Sequence, residues 1–321
     1  MYLATVSSQL RGEPTATGAL SPIDVREADF SIRCRRALKR VDRELSRGNI
    51  KTALSLVKQL QNKPRGLRGF GAAKQVSKML CSLDELNLKL DANEMLSLQL
   101  LVDSVMESIE SCTDFGSLDE DSIDRFEISM QDKGYGSLCE DDHFMCTQHE
   151  AGHFLVGYLL GVLPKGYMVP SIESLRQGKF TAARVEFVGF EFLKEVAIPR
   201  MLKKDTSQVG DRANRSKISS KTLNNFSCVL LGGLVAEHIV SGYSDGHHAD
   251  INKLERVFRW LGYKKSEADY QLRWAALNTV LILHHHMKAS SKLAEAMAME
   301  KPISSCIDTI EKHLTHKTNP R

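Results

Sequence analysis

His149-Glu150-Ala151-Gly152-His153-Phe154-Leu155-Val156-Gly157-Tyr158-Leu159-Leu160 is the stretch on which the reading of this 321-residue chain turns. The residues from Phe144 to Gly161 are helix-compatible and strongly apolar, so they predict a largely buried helix. On a helix, positions i and i+4 lie on one face. The H-E-x-x-H spacing therefore lets His149 and His153 present two imidazole nitrogens to one metal ion. Glu150, one position after the first histidine, can reach a metal-bound water without ligating the metal. Zinc brings the pKa of such a water near neutrality. Glu150 can then take its proton and later pass it to a leaving amine. Two histidines and a glutamate on a buried helix are costly unless paired or metal-bound. The small Ala151-Gly152 pair lets another helix approach closely behind them.

An open tetrahedral zinc site needs a third protein ligand. A metzincin-type extension would require glycine at 156 and histidine at 159, where the chain has Val156 and Leu159. Glu237 is one candidate and Asp250 another, with His247 and His248 competing for the role. His284-His285-His286 also looks like a metal tract. It falls within a helical pattern through Leu272, Ala276, Val280, Leu283 and Met287, where consecutive residues diverge by about 100° and cannot easily share one ion. Trp260 and Trp274 sit on helical stripes and read as core. Cys146, about one turn before His149, reads as packing, with a redox or inhibitory thiol as the minor alternative.

His149 to His153, then Leu231-Gly232-Gly233-Leu234-Val235-Ala236-Glu237, then His248-Ala249-Asp250-Ile251 together resemble the FtsH-type zinc metallopeptidases. The resemblance spans roughly residues 143–315. It implies zinc ligands at His149, His153 and Asp250, with Glu150 as catalytic base. It places Glu237 in a helix that packs behind the metal helix, as support rather than ligand. More narrowly, the chain is similar to plant, plastid-directed proteins of this type that lack the ATPase motor, which implies a chloroplast location. In such peptidases an edge strand beside the metal helix aligns the substrate, and Arg184 to Phe192 is the candidate strand or hairpin. The polar run Lys203 to Lys221 is expected to be a surface loop.

The motor itself has no counterpart. A phosphate loop needs G-x-x-x-x-G-K-[ST], whereas Gly66, Gly69 and Gly71 precede Lys74 at the wrong spacing and Gln75 follows the lysine. No ATP binding is expected. The first half reads instead as helices. Cys34, Leu38, Val41 and Leu45 form one stripe, and Ile50, Leu54, Val57 and Leu60 a second after a break at Gly48-Asn49. Two further helices are predicted near 70–81 and 92–111.

Composition narrows the classes. Hydrophobic residues make up 42 % and charged residues 26 %, as in an ordinary globular protein. The net charge of +3 is too small for a global nucleic-acid binder, and none is expected as a partner. Charge is nonetheless segregated. Residues 33–75 hold thirteen Lys/Arg against Asp42 and Glu44, while 111–142 is acidic. The seven cysteines are odd in number and form no C-x-x-C pair, which argues against a disulfide framework. The longest apolar run, Phe154 to Leu163, is short of the ~20 residues of a membrane span, so no transmembrane segment is expected.

The expected architecture is mainly α: a helical N-terminal domain followed by an α-helical zincin-like metallopeptidase domain with a small β-hairpin insertion. The boundaries are a flexible tail or targeting remnant at 1–29, a helical domain at 30–112, an acidic linker at 113–142 and the FtsH-like zinc peptidase domain at 143–321. The expected activity is ATP-independent hydrolysis of unfolded or short polypeptides, with Glu150 activating a zinc-bound water. The alternative is a non-proteolytic, metal-stabilised scaffold that assembles with motor-bearing FtsH-type protease subunits.

Overall fold

Pro22 opens the first helix, where its missing N–H is no loss and its fixed φ suits the first turn. α1 (Pro22–Ser46) therefore begins within the span expected to be a flexible tail. A computed structural model gives the fold. It describes residues 22–61, 63, 66–79, 83, 86, 91–112, 138–177, 183–196, 218–244 and 249–314, with backbone only at 22–31 and 138–140. Most of the Lys203–Lys221 run, His247, His248 and residues 113–137 of the expected linker lie outside the described residues.

The expected break at Gly48 is present, with φ at +75°. α2 (Ile50–Gln61) then turns Ala53, Val57 and Leu60 into the core and packs against α1. The helix predicted over 70–81 does not form. The described part of that segment is non-helical, and its backbone caps other helices. Gly71 and Ala73 donate N–H bonds to the carbonyls of Tyr158 and Leu159 at 3.1 and 2.9 Å. These are carbonyls that a helix C-terminus leaves without intrahelical partners. Val76 donates to Asn278 Oδ1 at 2.7 Å and accepts from Trp274 Nε1 at 3.0 Å. External partners thus replace the local ladder a helix would have made.

α3 (Ala92–Cys112) follows, and α4 (Leu138–Leu159) carries the H-E-x-x-H residues. α4 starts inside the expected acidic linker. Asp141 and Asp142 fall in its first turns, where the helix dipole favours negative charge. β1 (Pro164–Met168) pairs antiparallel with β2 (Arg184–Phe187), with α5 (Ile172–Arg176) between them. Only the start of the candidate Arg184–Phe192 segment is strand, and α6 (Leu193–Val196) follows it. The rest is helical: α7 (Ser220–Ser241), α8 (Ala249–Trp260), α9 (Lys265–His285), α10 (Met287–Ala298) and α11 (Ile303–His313). The described chain is thus mainly α with one two-stranded sheet.

α7 is long and apolar enough, by length and composition, to cross a membrane. Most of it is buried inside the protein, as a core helix would be. It lies along α4 on one side and α9 on the other. One continuous set of buried side chains runs from Leu38 and Val57 through Phe154 and Leu231 to Ile310. Helices from the expected N-terminal domain therefore share a core with the half that carries the H-E-x-x-H helix. α1 packs on α11, and α3 on α7 and α9. Glu311 accepts N–H bonds from Arg68 and Gly69 at 2.9 and 2.8 Å and a hydroxyl bond from Tyr158 at 2.6 Å. The Ser104 and Ser108 hydroxyls flank the His238 ring at 3.1 and 2.9 Å, tying α3 to α7.

Candidate metal centre

The close crossing of α4 and α7 is set by glycine. A Cβ on Gly152 would sit 2.2 Å from the Gly232 carbonyl oxygen, so only hydrogen fits between the two backbones. A Cβ on Gly233 would sit 2.3 Å from His149 Nε2. The Gly232-Gly233 pair thus brings the helices together and leaves room for the His149 ring. Asp250 enters from the first turn of α8, a favourable place for a carboxylate.

Three donor atoms converge there. Asp250 Oδ2 lies 3.1 Å from His149 Nε2 and 2.9 Å from His153 Nε2, and the two Nε2 atoms are 2.9 Å apart. This is the only group of three potential metal-binding side chains among the described residues. The far ring nitrogens settle the tautomers. His149 Nδ1–H donates to Glu237 Oε1 at 2.7 Å, and His153 Nδ1–H donates to the Val229 carbonyl at 2.7 Å. Both partners can only accept. In the neutral rings both Nε2 atoms then carry lone pairs, and they face each other and a carboxylate oxygen. One ring proton cannot satisfy all three contacts, whereas a single cation among them can. The donor set, two imidazoles and one carboxylate, suits a divalent transition metal.

Without an ion, the surrounding charges favour a protonated His149 and an ionised Asp250. Burial disfavours a charged His149, but hydrogen bonds to Asp250 and Glu237 override it and push its pKa up to about 10. Burial also works against an ionised Asp250, yet His153 and the hydrogen bonds from both histidines hold its pKa well below the usual carboxylate range. Burial raises the pKa of Glu150. Glu150 is 3 % exposed, and its Oε2 has no hydrogen-bond partner among the described residues.

Glu237 lies outside the trio. It orients His149 through Nδ1 and accepts from the Ser244 hydroxyl, a common way of fixing a metal-binding imidazole. Lys253 and Val229 were not legible as site residues. Lys253 Nζ holds Asp250 Oδ1 at 2.9 Å, so the aspartate offers its other oxygen to the histidines. The signal for Lys253 was its i+3 spacing from Asp250. Val229 contributes only a carbonyl and left no sequence signal.

The other candidates lie elsewhere. α9 ends at His285 and α10 begins at Met287, with the His285 and His286 rings edge-to-face at 4.6 Å. Burial and then His285 push the His286 pKa down to about 4. Trp274 is buried and Trp260 half-buried. Cys146 is half-buried, and burial followed by repulsion from Glu150 pushes its thiol up to about 12. Burial does the same for Cys228 and Cys306. At pH 8 a thiol with that pKa is ionised to about one part in ten thousand, and the thiolate is the reactive form. Iodoacetamide is therefore expected to label these three cysteines at pH 8 only after denaturation. Fast labelling of Cys146 in the folded chain, read by peptide mass spectrometry, would restore the reactive-thiol alternative.

No protein-family model matches the chain, and comparisons with curated proteins and with solved structures return no match.

Proposed function

We propose that the chain is a zinc-dependent, ATP-independent peptidase of the FtsH type, acting on unfolded or short polypeptides. The observation that carries this reading is the convergence of His149, His153 and Asp250 beside a buried glutamate oxygen that has no hydrogen-bond partner among the described residues. A tetrahedral zinc with ligands at about 2.0–2.1 Å sets its donors ~3.3 Å apart. The observed separations of 2.9–3.1 Å are within a few tenths of that. When bound, zinc supplies Lewis acidity toward the scissile carbonyl and acidifies water.

The chain's own residues do the rest. His149, His153 and Asp250 hold the ion. Glu237 and the Val229 carbonyl fix the two rings, and Lys253 fixes the aspartate. Glu150 takes a proton from the attacking water at its carboxylate and delivers it to the leaving amine. Its raised pKa moves it toward the working pH, as a proton shuttle requires. An intact base favours the enzyme over the scaffold, because a structural metal site has no use for one.

The test is cleavage of casein by the purified chain with zinc and without ATP. Cleavage should stop with a chelator and return with added zinc. A chain that holds one zinc and cleaves no unfolded substrate is the scaffold instead. Metal binding should also release protons. With its pKa near 10, metal-free His149 holds a proton at pH 8 that the ion must displace. About one proton per zinc is expected, read from calorimetry in buffers of different ionisation enthalpy, and metal affinity should weaken as pH falls.

A further inference from the structure

α1 carries a second feature that the metal site does not use. Arg36, Lys39, Arg40 and Arg43 are all exposed on the side opposite the buried Leu38 and Val41. None of these four has a carboxylate within ion-pair distance among the described residues. Their neighbours differ, since Arg35 lies 3.8 Å from Asp308 and Arg47 3.8 Å from Glu44. Exposed Arg33, Arg35 and Arg47 extend the positive face toward both ends. Ahead of it the sequence carries Asp24, Glu27 and Asp29 against one cation, Arg26, so the basic run of the sequence begins at residue 33. α2 adds exposed Lys51 and Lys58, seven residues apart and opposite its own buried stripe.

One residue decides what such a face fits. Ile32 is 46 % exposed. Ile32, Arg36, Lys39 and Arg43 are spaced 4, 3 and 4 apart, which places them on a single stripe. An aliphatic side chain in line with cations gains nothing against a hydrated phosphate backbone, but it can enter the headgroup region of a bilayer. Residues 32–61 contain no aromatic side chain, so base stacking has no platform. We propose that this face of α1 docks the protein onto a membrane surface rich in anionic phospholipid, with the cations against headgroups and Ile32 in the interface. Clusters of four to eight Lys/Arg on a helix are the pattern that such surfaces attract.

The test is cosedimentation of the full chain with phosphatidylcholine vesicles, with and without about one-third phosphatidylglycerol. Binding is expected only to the anionic vesicles. It should be lost in about 0.5 M NaCl, where the Debye length shrinks to ~4 Å. Each cation removed should weaken binding about fivefold. The variant R36Q/K39Q/R40Q/R43Q, which alters only exposed side chains, should then bind several-hundred-fold more weakly with an unchanged circular dichroism spectrum. Ile32→Ser should weaken binding about threefold to tenfold. K265Q/K288Q, which removes two exposed lysines elsewhere, should bind as the wild type does. Absence of binding to anionic vesicles would overturn the proposal. So would equal binding by the four-glutamine variant, or an equal loss per charge in K265Q/K288Q. Tighter binding to duplex DNA than to vesicles, indifferent to Ile32→Ser, would assign the face to nucleic acid instead.

Discussion

Glu150→Gln is expected to lower peptide hydrolysis by about 10²–10⁴-fold, the usual share of a positioned general base, while leaving zinc content unchanged. The substitution keeps the size of the side chain and removes its ability to carry a proton. Glu150 belongs to none of the three donor contacts, and its Oε2 has no hydrogen bond to lose among the described residues. Removing a buried acid should leave stability unchanged or slightly raised, because burial disfavours its charged form. The measurement is the initial rate of cleavage alongside metal content and Tm. A glutamine variant as active as the wild type would remove Glu150 from the chemistry. A variant that lost its zinc would make Glu150 part of the metal's support.

Gly152→Val is expected to be the most damaging single change to the fold. Its first side-chain carbon would already lie 2.2 Å from the Gly232 oxygen and 2.7 Å from the Ala236 Cβ. The nearest obstacle is helix backbone, which cannot rotate out of the way. Overpacking commonly costs about 1–3 kcal/mol where side chains can yield. Here α4 and α7 must separate along the longest contact in the core, so the loss should exceed ~3 kcal/mol, a large part of the 5–15 kcal/mol that holds a typical domain. Gly166→Ala is the matched control. Nothing lies within 4 Å of its new Cβ, so its Tm should stay within a degree or two. Gly233→Ala separates fold from site, because the nearest atoms to its Cβ are those of the His149 ring. It should weaken zinc binding more than it lowers Tm. Denaturant unfolding of the three variants checks the order, and a Gly152→Val chain as stable as Gly166→Ala would contradict the close crossing.

The residues that carried the sequence reading were those whose local pattern and long-range role agree. The stripes of α1 and α2, the break at Gly48 and the buried α4 are each written in neighbouring residues, and each is present. The His149–His153 pair is equally local. Where the sequence misled, the deciding partner was remote. Residues 70–81 have a helical composition, yet Tyr158, Leu159, Trp274 and Asn278 supply hydrogen bonds that favour a non-helical path. β1 leaves little local signal because Pro164 to Met168 is short and its partner strand begins only at Arg184. The early starts of α1 and α4 were hidden by proline and acidic residues, which read as linker chemistry but equally suit a helix N-terminus. At the site, spacing alone left Glu237, Asp250, His247 and His248 open as third partner. Only the packing of α8 on α7 brings Asp250 into contact with both histidines and leaves Glu237 on the outer nitrogen of His149.

The central claim is that His149, His153 and Asp250 form one metal centre. The direct measurement is zinc per chain, by elemental analysis of protein reconstituted with zinc and freed of excess, for the wild type, His149→Ala, His153→Ala and Asp250→Ala. One zinc per chain in the wild type, falling toward zero in all three variants, is the expected result. A wild type that holds no zinc, or a His149→Ala variant that keeps full occupancy, would contradict it.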